Sequence, residues 1–193
     1  MNWKQIKVNK LKLLEATLKE TKRLDDLSTN ILLTSQLDMG KYEADKQLVN
    51  LSELVRQSIK SFQERYPSRI CNTSVQDAME IQGEPLLIQL LINNLIDNAN
   101  KYAPMTEPIY IHLQESQNTV QFIVKDQGPG IEAADKNKVF EKFYRLGSEN
   151  TRTTKGSGLG LYLCKKIAEF HNASIQLTSN TPTGSIFTVT FFI

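Results

Sequence analysis

The spacing of apolar residues divides the chain into helix-like and strand-like stretches. Leu11, Leu14 and Leu18, then Leu24, Leu27 and Ile31, recur at three- and four-residue steps among lysines, glutamates and aspartates. That spacing predicts one long helix over residues 4–39, closed by Gly40, which suits the left-handed turn past a helix end. A stripe of this length needs a partner helix, from the same chain upstream or from a second subunit. Residues 41–49 alternate polar and apolar positions and read as a connection. Asn50 and Glu53 then form a capping-box pattern, opening a helix that runs to about Arg65 and stops before Pro67. Short strands are expected over 70–75 and 78–81.

Gly83, Glu84 and Pro85 open the next helix, with Pro85 at a first-turn position that needs no N–H. This helix ends near Ala103 and Pro104. Strands over 109–114 and 119–126 flank a turn at Ser116, Gln117 and Asn118. Residues 131–155 begin as a short helix that packs Phe140 and Phe143 onto the core, and continue as a polar loop. A glycine-rich stretch then enters a helix ending near His171. Strands over 175–178 and 186–192 close the chain as a hairpin around Pro182, Thr183 and Gly184.

A length of 193 residues allows one well-cored domain plus an appendage, and 40% hydrophobic with 23% charged residues is ordinary for a globular protein. A net charge of +2 is too small to make nucleic acid or an anionic membrane the main partner. Cys71 and Cys164 lack metal-like spacing and fit a reduced, cytoplasmic setting. No apolar run is long enough to span a bilayer, so this segment is expected to make no membrane contact.

Three motifs carry the chemistry. On the helix after Pro85, Asn94 and Asn98 lie one turn apart, with Lys101 and Tyr102 following. Amide oxygens on one face, together with nucleotide phosphates, are hard ligands of the kind magnesium takes, and Lys101 balances phosphate charge. Alone, that face could equally be a solvated one. Asp126, at a strand end, precedes Gly128 and Gly130. A carboxylate accepts hydrogen bonds only, so it suits the exocyclic amine of adenine and repels the carbonyl of guanine. By itself the same pattern is a plain turn. Gly156, Gly158 and Gly160 lead into a helix whose first amides and partial positive charge suit phosphate. The pattern is neither a Walker loop nor a Rossmann fingerprint. His112 and His171 have no metal partner and no catalytic pattern.

Taken in order, these motifs resemble the ATP-binding catalytic domain of sensor histidine kinases of two-component systems. Residues 94–102 resemble that family's N box, 126–130 its first glycine box, Phe140 to Arg145 its F box, and 156–160 its second glycine box. The resemblance covers about residues 46–193. It implies an α+β fold, a two-layer sandwich of the Bergerat ATP-binding type with a mixed sheet covered by helices. Residues 1–45 resemble the second helix of the dimerisation and phosphotransfer hairpin, with its linker.

ATP and Mg2+ are the implied cofactors. Asn98 would ligate the metal with Asn94 nearby, Lys101 and Tyr102 would contact the nucleotide, and Asp126 would bind the adenine amine. Gly128, Gly130, Gly156, Gly158 and Gly160 would shape the pocket, and residues 132–155 would form a lid. Ile131, Phe143, Arg145, Lys155, Ser157, Leu159 and Leu161 complete the expected binding set.

The phosphoacceptor histidine of the family is not among these residues, since neither His112 nor His171 matches its motif. The resemblance therefore implies a part of a longer, homodimeric and membrane-anchored protein. Its partners would be a phosphoacceptor helix and a response-regulator receiver domain. Asn172 and Ala173 stand where the family often has two glycines; asparagine tolerates the left-handed conformation, so little should follow. Asn93 stands where many relatives have an acid, which leaves the general base open. The alternative reading is an ATP-dependent conformational switch of the same superfamily without kinase activity.

Overall fold

The structure, a computed structural model, describes residues 3–147 and 156–192, without the side chains of residues 3–8, 11 and 19. Helix α1 (Trp3–Asp38) is followed by strand β1 (Gln47–Asn50), helix α2 (Leu51–Arg65) and strands β2 (Cys71–Val75) and β3 (Glu80–Gly83). Helix α3 (Pro85–Tyr102), strands β4 (Ile109–Ser116) and β5 (Thr119–Lys125), helix α4 (Gly160–Phe170) and strands β6 (Ser174–Ser179) and β7 (Ser185–Phe192) complete the order.

Five strands form one mixed sheet in the order β2-β4-β5-β7-β6, parallel only between β2 and β4. Strict alternation turns Ile109, Ile111, Leu113, Val120, Phe122, Val124, Phe187 and Val189 to one buried face. The apolar faces of α2, α3 and α4 contribute Val55, Leu91, Leu95, Leu163 and Ile167 to the same core. The result is the expected two-layer sandwich. Strands β1 and β3 pair separately as a small antiparallel ribbon.

Local chemistry sets the element ends. The Asn50 side chain accepts from the Glu53 N–H at 3.0 Å and caps α2. Helix α1 closes with the bonds Gly40 N–H to Leu37 O and Lys41 N–H to Gln36 O, Gly40 at φ +63°. This is the glycine-terminated motif that its sequence implied. Helix α4 ends in the same way with Asn172 at φ +53°, where Asn172 N–H bonds Glu169 O and Ala173 N–H bonds Ala168 O. Asparagine thus adopts the left-handed conformation expected of it.

Several expectations need correction. Residues 47–49, read as part of a connection, belong to strand β1 (Gln47–Asn50), and the strand expected over 78–81 lies at Glu80–Gly83. Gly83 ends that strand, and Glu84 is the N-cap of α3. Between β4 and β5 the turn is two residues, Gln117 and Asn118, both at positive φ; that geometry suits the strand twist and extends both strands to its edge. The helix expected after residue 131 is only a 3-10 turn, Lys138–Phe140. Phe140 is buried as expected, but Phe143 is 57% exposed with φ at +65°, a conformation no right-handed helix contains.

Candidate nucleotide-binding site

Helix α3, the turn after β5 and the start of α4 enclose a cleft of about 460 Å3. Asn94, Asn98, Lys101 and Tyr102 line it from α3, and Asp126, Gly130 and Ile131 from the turn. Arg145 and the run Gly156, Ser157, Gly158, Gly160 and Leu161 form its other rim. Segments far apart in sequence thus share one concavity. Gly128 stands behind Asp126 rather than in the lining, and Leu159 is fully buried as the N-cap of α4. Phe143 does not line the cleft, and Lys155 lies outside the described residues.

Asp126 is 3% exposed. Its Oδ1 accepts from Gly128 N–H at 2.8 Å and from Ser185 N–H at 3.3 Å. Both bonds fall on one oxygen, leaving Oδ2 as the acceptor of a side chain that lines the cleft. Burial pushes the carboxyl above the ordinary carboxylate range, against the opposing pull of those two amides and of Arg69. The main chain here is held by β7: Asp126 N–H bonds Ser185 O at 2.9 Å, and Asn180 Nδ2 donates to Asp126 O at 2.8 Å. Gly184, at φ +114°, comes so close that a Cβ there would lie 2.0 Å from Asp126 O. Only glycine fits.

The asparagine pair has a defined orientation at its first member. Asn94 Nδ2 donates to Leu90 O at 3.0 Å, one turn back, which turns Oδ1 outward. That oxygen would lie 3.1 Å from a Cβ at Gly160, so glycine at 160 leaves α4 free to start against it. A Cβ at Gly156 would lie 2.7 Å from Lys101 Nζ, and one at Gly158 would lie 2.7 Å from the main chain of Phe143. Phe143 N–H donates to Gly158 O at 3.1 Å, tying the two segments together. Helix α4 has no side-chain cap, which leaves first-turn amides for an anion. Lys101 Nζ bonds Tyr102 Oη at 3.1 Å.

Residues outside the expected binding set also matter. Asn30, Asp97, Tyr144, Gly147, Ser185 and Phe187 line the cleft. Asp97 faces Arg65 at 3.4 Å. Arg69, 4% exposed, donates to Ala103 O and Pro104 O and so fixes the end of α3 next to Tyr102. His171 is a structural pin: its Nε2 accepts from Glu84 N–H at 2.9 Å, and Nδ1 lies 2.7 Å from Ile167 O. A ring that accepts at Nε2 carries its proton at Nδ1. His112, on β4, is not in the cleft lining.

A sandwich with helices on one face of a mixed sheet, and a cleft combining a buried acid, helix amides and a glycine-rich helix start, defines a nucleotide-binding catalytic domain. Residues 83–193 match the model of the histidine kinase-, DNA gyrase B- and HSP90-like ATPase family, and the chain belongs to that family. Its relatives there are sensor histidine kinases. It is 32% identical over 183 residues to the histidine protein kinase SaeS of Staphylococcus aureus, covering 90% of this chain and 50% of that one. It is 29% identical over 178 residues to the sensor histidine kinase CusS of Escherichia coli, covering 92% of this chain and 37% of that one.

The catalytic domain of histidine kinase ThkA superposes with a TM-score of 0.66 at 26% identity, covering 77% of this chain and 97% of that one. Acinetobacter baumannii histidine kinase AdeS shares the fold with a TM-score of 0.76 at 21% identity, over 93% of this chain and 83% of that one. The chain thus spans half or less of the length of the curated relatives named here. No helix among the described residues is long and apolar enough to cross a membrane.

Proposed function

We propose that this chain is the catalytic part of a histidine kinase, transferring the γ-phosphoryl group of ATP to a histidine on a phosphotransfer helix outside residues 1–193. Residues 46–193 form the ATP-binding unit in this reading, and residues 1–45 the second helix of the phosphotransfer hairpin with its linker. The observation that carries it is the cleft itself, which joins Asp126, Asn94, Asn98 and the uncapped start of α4 around one cavity.

In this reading Asp126 Oδ2 accepts from the adenine amine, while Oδ1 is held by two amides and keeps the carboxylate from rotating. Triphosphate oxygens take the first-turn amides of α4, with Lys101 beside them. The donors suit Mg2+. No cluster of three acids, histidines or cysteines stands among the described residues, and the outward Asn94 oxygen and the cleft-lining Asn98 are neutral, hard ligands. Such a set holds a metal whose other ligands are phosphates and water. When bound, the metal neutralises phosphate charge. The chain's own part is to hold the γ-phosphoryl group in line and exclude water, as phosphoryl transfer requires. Partners follow from that chemistry: a histidine-bearing helix, a receiver domain that accepts the phosphoryl group, and a second copy of the parent protein.

The test supplies the phosphotransfer hairpin of the parent protein with labelled ATP. Label on protein that is acid-labile and base-stable is the expected result. ATP binding without any transfer by the intact parent protein would leave the conformational-switch reading in its place.

A further inference from the structure

The last third of α1 is not solvated like the rest. Thr34 is fully buried, Leu33 and Leu37 pack against the core, and Asn30 lines the nucleotide cleft together with Asp97 and Asn98. Asp97 feels the charge of Asp26, one turn before Asn30 on α1, in addition to its own burial. Those observations bring the end of α1 to the rim of the cleft, where the helix it packs against is α4.

Beside that packing, one carboxylate ties the end of the helix down. Asp38, the last residue of α1, accepts from Tyr162 Oη at 2.6 Å and faces Lys166 Nζ at 3.3 Å and Lys142 Nζ at 3.6 Å. All three partners belong to the frame of the cleft. Tyr162 and Lys166 ride on α4, which begins at Gly160. Lys142 adjoins Phe143, whose N–H is bonded to Gly158 O. Burial first, and then the hydrogen bond to Asp38, push the Tyr162 phenol up to about 12, so it stays a donor. Beyond Asp38, Lys46 Nζ donates to Phe170 O at 2.7 Å and the Tyr42 ring meets Phe170 edge-on. A carboxylate shared by a phenol and two ammonium groups exceeds an isolated surface pair.

We infer that Asn30 is a residue of the nucleotide cleft, and that Asp38 is the positioning residue that latches α1 in place so that nucleotide entry and release depend on whether the helix is docked. The inference rests on the reading of the cleft as an ATP site. A long helix whose described side chains before Leu27 are all exposed is a lever on that latch. Movement imposed on α1 from outside would therefore be transmitted to Lys142 and α4, on either side of the glycine-rich segment.

The experiment is stopped-flow binding of a ribose-labelled fluorescent ATP analogue to the full 193-residue chain. Asp38→Ala and Tyr162→Phe are each expected to raise the association and dissociation rates several-fold. Arg23→Ala, on the exposed stretch of α1, should leave both rates at the wild-type values. Asn30→Trp is expected to slow association in the wild-type background and to have little effect in the Asp38→Ala background, a coupling between sites two turns apart. Rates that do not change in both latch variants overturn the inference, as does an Asn30→Trp effect of equal size in the two backgrounds. In either case, intact wild-type binding leaves the ATP reading standing. A wild-type chain that binds no analogue overturns the ATP reading itself, and the latch with it.

Discussion

Replacing Asp126 with alanine would strip the acceptor from Gly128 N–H and Ser185 N–H as well as from the cleft, and would confuse binding with folding. Asparagine separates the two. Its Oδ1 still takes both amides, while an NH2 group replaces Oδ2 and opposes the adenine amine. Asp126→Asn is expected to keep the wild-type melting temperature and to weaken ATP binding by about 1–3 kcal/mol, with guanine nucleotides gaining relative to adenine. Calorimetry with both nucleotides checks this, and unchanged preference would remove Asp126 from purine recognition. Asn98→Ala should weaken ATP binding more with magnesium present than with the metal chelated; equal loss would point to structural damage. At this scale the sequence exposed the chemistry of Asp126, Asn94 and Asn98 because residue type alone limits what each can donate or accept. It did not expose Arg69 or Asn30, whose types are common on surfaces and whose places are set by segments far along the chain.

Elements are pinned to each other by their ends. His171 closes α4 and takes the N–H of Glu84, the N-cap of α3, so the two helices that carry the glycine start and the asparagine pair are fixed at their far ends. Burial holds the His171 pKa below its ordinary value, with Lys46 acting in the same direction and Ile167 O and Glu84 against it. The folded-state pKa therefore lies below the unfolded one, about 6.5. The neutral ring's stabilisation is fully present above the unfolded value and is lost as pH falls through the folded one. His171→Phe should be less stable at pH 7 and should lose this component of the decline between pH 7 and pH 5. Melting curves of the two proteins with the same acid slope would contradict it. Helix ends and turns were the legible elements, because Gly40, Asn50, Pro85 and Asn172 act through local geometry. Strand β1 was not, since Val49 is its only buried residue and four residues give too little alternation to read.

For the whole molecule, the exposed side of α1 is the unfinished surface. Leu14, Leu18 and Leu24 are each at least 60% exposed along one helix, an arrangement that asks for another apolar face. Leu14→Lys with Leu18→Lys is expected to lower the self-association of the chain in sedimentation measurements, while nucleotide binding in the cleft persists. Unaltered association would move the contact elsewhere.

The sequence by itself determined the alternation of the core strands, the ends of the long helices and the family, because each depends on residue type over a few neighbouring positions. Tertiary structure alone decided that Gly184 and Ser185 hold Asp126, that Phe143 contributes its main chain rather than its ring, and that α1 turns Asn30 into the cleft. Those features arise where segments remote in sequence are packed within a few ångströms, and no local pattern encodes such a distance.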